Sequence, residues 1–66
     1  MTERDFVIYT SINGAVTAEK FASYYKCSIE KAEKMLENMV SNGDAITYNR
    51  LGMKFYNNKT RGSKWN

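Results

Sequence analysis

The chain has 66 residues and a formal net charge of +3, with 42% hydrophobic residues and nine aromatic side chains (three Phe, five Tyr and one Trp). This length allows one domain with a small core, and the hydrophobic content favours folding over disorder. A single cysteine excludes an internal disulfide, and no apolar run is long enough to cross a bilayer. We therefore expect a cytoplasmic protein that does not associate with membranes.

The charge is distributed unevenly along the chain. Residues 1–44 contain five basic and all seven acidic residues, so this part carries a net charge of −2. Residues 45–66 contain five basic residues and no acidic residue, which gives +5. This asymmetry predicts a polyanionic partner that is contacted mainly by the C-terminal third.

Capping residues and apolar periodicity predict three helices. The first follows Thr2 and stops at Asn13-Gly14, with Phe6, Tyr9 and Ile12 on its apolar face. After a short extended link at Ala15-Val16, Thr17 and Ser28 are suitable N-caps for two further helices. The third helix has the clearest helical period and ends at Asn42-Gly43. Its apolar positions are Ile29, Ala32, Met35, Leu36, Met39 and Val40.

The period changes to two after Gly43, where AITYNRLGMKFY predicts a two-stranded β-hairpin. Asn49 and Gly52 suit the first and last positions of a type I turn that leads into a bulge. We expect a domain over residues 1–57 and a flexible basic tail over residues 58–66. The predicted fold class is α+β, with three helices followed by the hairpin.

The order of these elements resembles the winged helix-turn-helix superfamily, in particular small bacterial and phage-type regulators. The matching segments are VTAEKFA at 16–22, CS at 27–28, KAEKMLENMVSNGDAI at 31–46 and the hairpin through Tyr56. The resemblance covers residues 3–56 and is carried by helical periods and stop signals. It implies that the third helix enters the major groove of DNA and that the hairpin, the wing, contacts the backbone or the minor groove.

The resemblance also implies which residues contact DNA. Ser28, Glu30, Lys31 and Lys34 take the groove-facing positions of the third helix. Thr17 and Lys20 take positions where phosphate contacts are common. Arg50 lies at the wing tip and Lys54 on the returning strand. From their charge, we expect Lys59, Arg61 and Lys64 in the tail to neutralise phosphates.

The acidic residues of the third helix allow a second interpretation. Residues 28–38 carry a net charge of −1, whereas helices that read DNA are usually basic. Glu30, Glu33 and Glu37 line one side of the helix, and Glu30 is placed to pair with Lys34. This side is interpreted as a solvated, salt-bridged face, or as a surface for a basic protein partner.

Two functions therefore remain open. The first is binding of double-stranded DNA in transcriptional or replication control; the second is a protein-binding adaptor or inhibitor that uses the acidic side of the third helix. A homodimer would add stability, and the sequence does not establish one. No histidine, phosphate loop or metal spacing supports catalysis, so we expect neither enzyme activity nor a cofactor. Cys27 and four tyrosines (Tyr24, Tyr25, Tyr48 and Tyr56) are predicted to belong to the core or its edge.

Overall fold

A computed structural model describes residues 2–59 and contains three helices and three strands. The α+β class and the three helices are therefore confirmed. In chain order the elements are α1 (Glu3–Asn13), β1 (Val16–Thr17), α2 (Ala18–Tyr25), α3 (Ile29–Ser41), β2 (Ala45–Arg50) and β3 (Met53–Asn58).

Each helix begins at the predicted hydroxyl cap. The side chains of Thr2, Thr17 and Ser28 accept hydrogen bonds at 3.1–3.2 Å from the backbone N–H three residues further along. At α1 the Asp5 carboxylate also accepts from the Thr2 backbone N–H at 2.8 Å, which completes a capping box. Lys26, at φ 55°, ends α2 in the left-handed conformation and makes the tight turn into α3.

Residues 2–59 form the predicted hairpin from β2 and β3, but their sheet has three strands, so the prediction of two strands is wrong. β1 overlaps the predicted extended link at Val16 and pairs antiparallel with β3 through Val16–Tyr56 and Thr17–Phe55. The strand order is β1-β3-β2, which makes the last strand of the described residues the central one. Pairing with β3 satisfies backbone groups that a free link would leave to water.

The hairpin turns through two residues, and the predicted type I turn with a bulge is wrong. Arg50 and Met53 pair directly, and both residues between them have positive φ, 54° at Leu51 and 74° at Gly52. Positive φ at both central positions is the pattern of a type I′ turn, whose twist matches that of the strands.

This register directs the large apolar side chains of the hairpin away from the helices. Residues directly opposite each other share a face, and Tyr48 pairs with Phe55 while Arg50 pairs with Met53. Ile46 lies on the same outer face as Tyr48 because side chains alternate along a strand. The inner face instead contributes buried Ala45, Val16 and Tyr56 to the core.

The core lies between the three helices and the inner face of the sheet. Its aromatic centre is Phe21, whose ring meets Phe6 and Tyr9 edge-on at centroid distances of 5.7 and 5.9 Å. Ile12, predicted on the apolar face of α1, is instead exposed, and buried Thr10 takes a place on that face. The complete set of buried apolar residues is Phe6, Tyr9, Val16, Ala18, Phe21, Ala22, Ala32, Leu36, Met39, Ala45 and Tyr56.

The remaining core predictions hold in part. Cys27 is half-buried and packs against the core, and Tyr25 does the same. Tyr24 is exposed, although its ring packs edge-on against those of Tyr9 and Tyr25. Tyr48 is also exposed because the hairpin register places it on the outer face.

The described part of the tail continues the fold. Asn58, which the sequence assigned to the tail, is the last residue of β3 and is buried. Its Nδ2 donates to Thr10 Oγ1 at 2.7 Å, and Thr10 in turn donates to the Phe6 carbonyl at 2.8 Å. The rest of the predicted tail, residues 60–66, lies outside the described residues.

The turn supports a first prediction, that Leu51→Asn stabilises the protein. Leu51 is 85% exposed and has a φ of 54°, so it gains little packing in a conformation that costs an ordinary residue about 1–2 kcal/mol. Asparagine tolerates this region, and Asn-Gly is the preferred type I′ pair. We expect a gain of about 0.5–1 kcal/mol, measured as a rise in Tm of several degrees.

Leu51→Ala is the matched control because alanine removes the exposed side chain and keeps the Cβ. If the alanine and asparagine variants gain equal stability, the backbone conformation of the turn is not the cause.

Candidate interaction surface

A groove runs between the exposed side of α3 and the hairpin, and we call it the α3–hairpin groove. The helix contributes three carboxylates and one lysine, and β3 contributes a lysine and a tyrosine. The residues that line it are Glu30, Glu33, Lys34, Glu37, Lys54 and Tyr56.

Glu37 holds the two sides of this groove together. Its Oε2 accepts a hydrogen bond from Lys54 Nζ at 2.6 Å and another from the Tyr56 hydroxyl at 2.5 Å. Lys54 Nζ also lies 5.6 Å from the centre of the Tyr56 ring. One carboxylate on α3 therefore fixes two side chains of the central strand.

The protonation of these groups reflects the same contacts. Hydrogen bonds from Lys54 and Tyr56 lower the pKa of Glu37 below its ordinary value. Burial, together with the hydrogen bond to Glu37, raises the pKa of Tyr56 to about 12. The hydrogen bond to Glu37 raises the pKa of Lys54. At neutral pH the groove thus contains an ionised Glu37, a charged Lys54 and a neutral Tyr56.

The groove has more negative than positive charge. Glu30 and Glu33 form no ion pair within residues 2–59, whereas Lys54 is engaged by Glu37. A neighbouring depression at the start of α2 adds Glu19 and shares Glu33 and Lys54. This surface attracts cations and repels phosphates.

The structure brings only part of the predicted DNA-contact set together. Glu30, Lys34 and Lys54 line the groove, while Arg50 lines a separate depression with Ala15, Tyr48, Leu51 and Phe55. The predicted Glu30–Lys34 pair is wrong, since the described residues contain no ion pair between them.

The other predicted contact residues lie outside the groove. Thr17 and Ser28 act as helix caps, while Lys20 and Lys31 are exposed on α2 and α3. Lys59 is exposed just after β3. The two remaining members of the set, Arg61 and Lys64, lie outside the described residues.

The sequence interpretation missed the joint role of Glu37 and Tyr56. The sequence places Glu37 on a solvated face and Tyr56 in the core or at its edge, with no contact between them. Tyr56 and Glu37 are 19 residues apart, so no local spacing shows the contact. The one available sequence signal is the alternation of side chains along β3, which places Lys54 and Tyr56 on the same face of the strand.

Metal-binding clusters and membrane-spanning helices are both absent from residues 2–59. No group of three or more His, Cys, Asp or Glu side chains in this range is arranged to hold a metal ion. No helix in the same range has the length and apolar character needed to cross a membrane.

Comparison with protein-family models, with curated proteins and with solved structures finds no match to this chain. The structure itself defines an α+β protein with three helices and a three-stranded antiparallel sheet, and α3 lies against the hairpin.

The groove supports a second prediction, on pH dependence. Because the folded-state pKa of Glu37 lies below the ordinary value of 4.5, its ion pair stabilises the fold above that pH. The contribution is lost as the pH falls through the folded-state pKa. Both partners are about half exposed, so the effect is that of a solvent-screened pair. We expect Glu37→Gln to lower the urea midpoint slightly at neutral pH and not in acid.

High salt provides the control for this measurement, since the Debye length falls to about 3 Å at 1 M. If the difference in urea midpoint between wild type and Glu37→Gln is unchanged by salt and by acid, packing and not charge is responsible for it.

Proposed function

We propose that this chain is a winged-helix protein that binds double-stranded DNA, with a role in transcriptional or replication control. The observation that carries the proposal is the bridge from Glu37 to Lys54 and Tyr56, which couples α3 directly to the hairpin. In winged-helix proteins both of these elements contact DNA. A fixed relative position reduces the entropy lost when both bind one duplex.

Exposed cations supply the phosphate contacts in this proposal. Lys20 on α2, Lys31 on α3 and Arg50 beside the turn are exposed outside the groove, and Lys34 is exposed at its lining. Lys54 contributes less, because Glu37 already neutralises it. The carboxylates keep phosphates away from the groove, and Glu30 can accept a hydrogen bond from a cytosine amino group.

The acidic groove favours a second candidate function, an adaptor that binds a cationic protein segment. Glu30 and Glu33 lack an ion-pair partner within residues 2–59 and lie on one side of α3. A lysine- or arginine-rich segment would complete both pairs. This function needs no contact from Arg50 or the tail.

Fluorescence anisotropy with a labelled random duplex, titrated with the full chain at several salt concentrations, tests the DNA proposal. We expect micromolar binding that weakens steeply as salt rises, because phosphate neutralisation releases counterions. Absence of binding at low salt would exclude DNA and leave the adaptor as the function to test.

Two alanine variants give the third prediction. Arg50→Ala is expected to weaken binding to all duplexes and to reduce the salt slope by about 1, as expected for the loss of one phosphate contact. Lys34→Ala is expected to change the sequence preference, by about 1–3 kcal/mol at one base pair. Site selection from a random library measures the preference.

Arg4→Ala is the matched control, because it removes one positive charge from α1, outside the groove and the hairpin. Equal weakening by Arg4→Ala and Arg50→Ala would show that net charge alone determines affinity. Equal loss on every sequence from Lys34→Ala would remove its role in reading bases.

A further inference from the structure

β2 is an edge strand without the features that normally protect an edge. Within the described residues it pairs with β3 on one side only. Its six residues, AITYNR, contain no proline and no lysine, and its only charge is Arg50 at the end. Natural proteins usually block such an edge with a bulge, a proline or an inward charge, because free backbone groups attract another strand.

The hydrogen-bond pattern shows which backbone groups of β2 are free. The Lys59 N–H donates to the Asp44 carbonyl at 3.2 Å, so this carbonyl is directed towards β3, while the Asp44 N–H donates to the Met39 carbonyl at 2.8 Å. Antiparallel pairs alternate, and therefore Ile46 and Tyr48 direct their N–H and C=O groups towards β3. Ala45, Thr47 and Asn49 direct their N–H and C=O groups away from β3, along the open edge.

The outer face beside this edge is apolar. Ile46 is 44% exposed, Tyr48 40% and Met53 45%, and Phe55 lies between them at half burial. Tyr48 and Phe55 stack at a centroid distance of 6.0 Å. Solvent-exposed apolar side chains next to a free strand edge are typical of an interface.

We propose that a second copy of this chain binds here, with the two β2 strands antiparallel and a two-fold axis at Thr47. This register places Ile46 opposite Tyr48 of the second copy, so the apolar face continues across both sheets. It also places Asp44 opposite Arg50 of the second copy, twice per dimer. Both residues are exposed and form no ion pair within residues 2–59.

Charge complementarity favours this register over the two neighbouring registers, in which the two-fold axis moves by one residue. Moving the axis to Ile46 places Asp44 opposite Tyr48 and Arg50 opposite Asn42. Moving it to Tyr48 places Arg50 opposite Ile46 and Asp44 opposite Gly52. Only the axis at Thr47 pairs both charges, and it uses all the free backbone groups of the strand.

Disulfide trapping tests the register directly, in a Cys27→Ala background. Ile46→Cys and Tyr48→Cys chains are mixed under mild oxidation. We expect the mixed disulfide to form in preference to either homodisulfide, because positions 46 and 48 face each other in a close antiparallel pair. Two copies of position 46 lie two residues apart along the strands, beyond the Cα separation of about 7 Å that a disulfide can bridge.

Sedimentation of the full chain from micromolar to millimolar concentration tests the association itself. We expect a monomer–dimer equilibrium, weakened about ten-fold or more by Arg50→Asp, which places like charges opposite each other. Asp44→Arg combined with Arg50→Asp should restore it. Circular dichroism checks that each variant is folded.

A wild-type chain that stays monomeric throughout this range overturns the proposal. So does a double charge reversal that fails to recover association, or an Ile46→Cys chain that forms disulfides with itself as readily as with Tyr48→Cys. These assays contain no DNA, so their result is independent of the proposed function.

Discussion

Tyr56→Ala is expected to remove about half or more of the stability of the fold at room temperature. Tyr56 lies on the central strand, is only 1% exposed and pairs with β1 and β2 on either side. Truncating a buried aromatic residue to alanine costs about 3–5 kcal/mol. At roughly 0.05–0.15 kcal/mol per residue, the 66 residues have a stability of ~3–10 kcal/mol in total. Urea unfolding followed by circular dichroism measures the loss.

Tyr56→Phe is the matched control, because it keeps the ring and removes the hydroxyl that donates to Glu37. We expect a smaller loss of about 1–3 kcal/mol, as for a hydrogen bond to a charged group. A phenylalanine variant as unstable as the alanine variant would show that the hydroxyl contact, not the ring, maintains the core.

Alkaline pH gives a further comparison, between the wild type and Tyr56→Phe. The folded-state pKa of Tyr56, about 12, exceeds the ordinary value of 10.0. The contribution of its protonated hydroxyl to the stability of the fold is therefore complete below pH 10.0. It is lost as the pH rises towards 12, and a difference of two pKa units corresponds to about 2–3 kcal/mol. Tyr56→Phe should not show this part of the alkaline loss.

Glu33→Lys is expected to change binding in opposite directions for the two candidate functions. Glu33 belongs to both the α3–hairpin groove and the neighbouring depression, so its reversal removes a central negative charge. If the chain binds DNA, affinity for a random duplex should rise about ten-fold at low salt, and the salt slope should steepen by about 1. If the groove binds a cationic segment, the same variant should lose most of its affinity for polylysine.

Glu3→Lys provides the control for this comparison. It makes the same change in net charge at an exposed position of α1, and Glu3 lines neither depression. A gain in DNA affinity from Glu3→Lys equal to that from Glu33→Lys would show a general charge effect, without a specific approach of DNA to α3.

The helices could be predicted because their signals are local. Thr17 and Ser28 precede their helices directly, and the capping bonds form within three residues. β1 could not be predicted in this way, since two residues have no measurable period. Its strand character depends on β3, about 40 residues later.

Which side chains of the hairpin face the core depends on the type of its turn, and composition does not determine the turn type. Leu51 is an unusual residue for a left-handed position, so the sequence favoured a different turn. Turn length sets the register, and the register decides which alternating set faces the core. The contacts of Glu37 could not be predicted from local sequence either, because Lys54 and Tyr56 lie 17 and 19 residues away.

The central position of β3 has a consequence for the order in which the fold forms during translation. β3 is the last described element to be synthesised, and both β1 and β2 pair with it, not with each other. A nascent chain that has emerged only as far as the hairpin turn can form its helices, but it has no sheet and lacks Tyr56. The sheet therefore cannot close, nor Asn58 reach Thr10, until the ribosome has released the whole of β3.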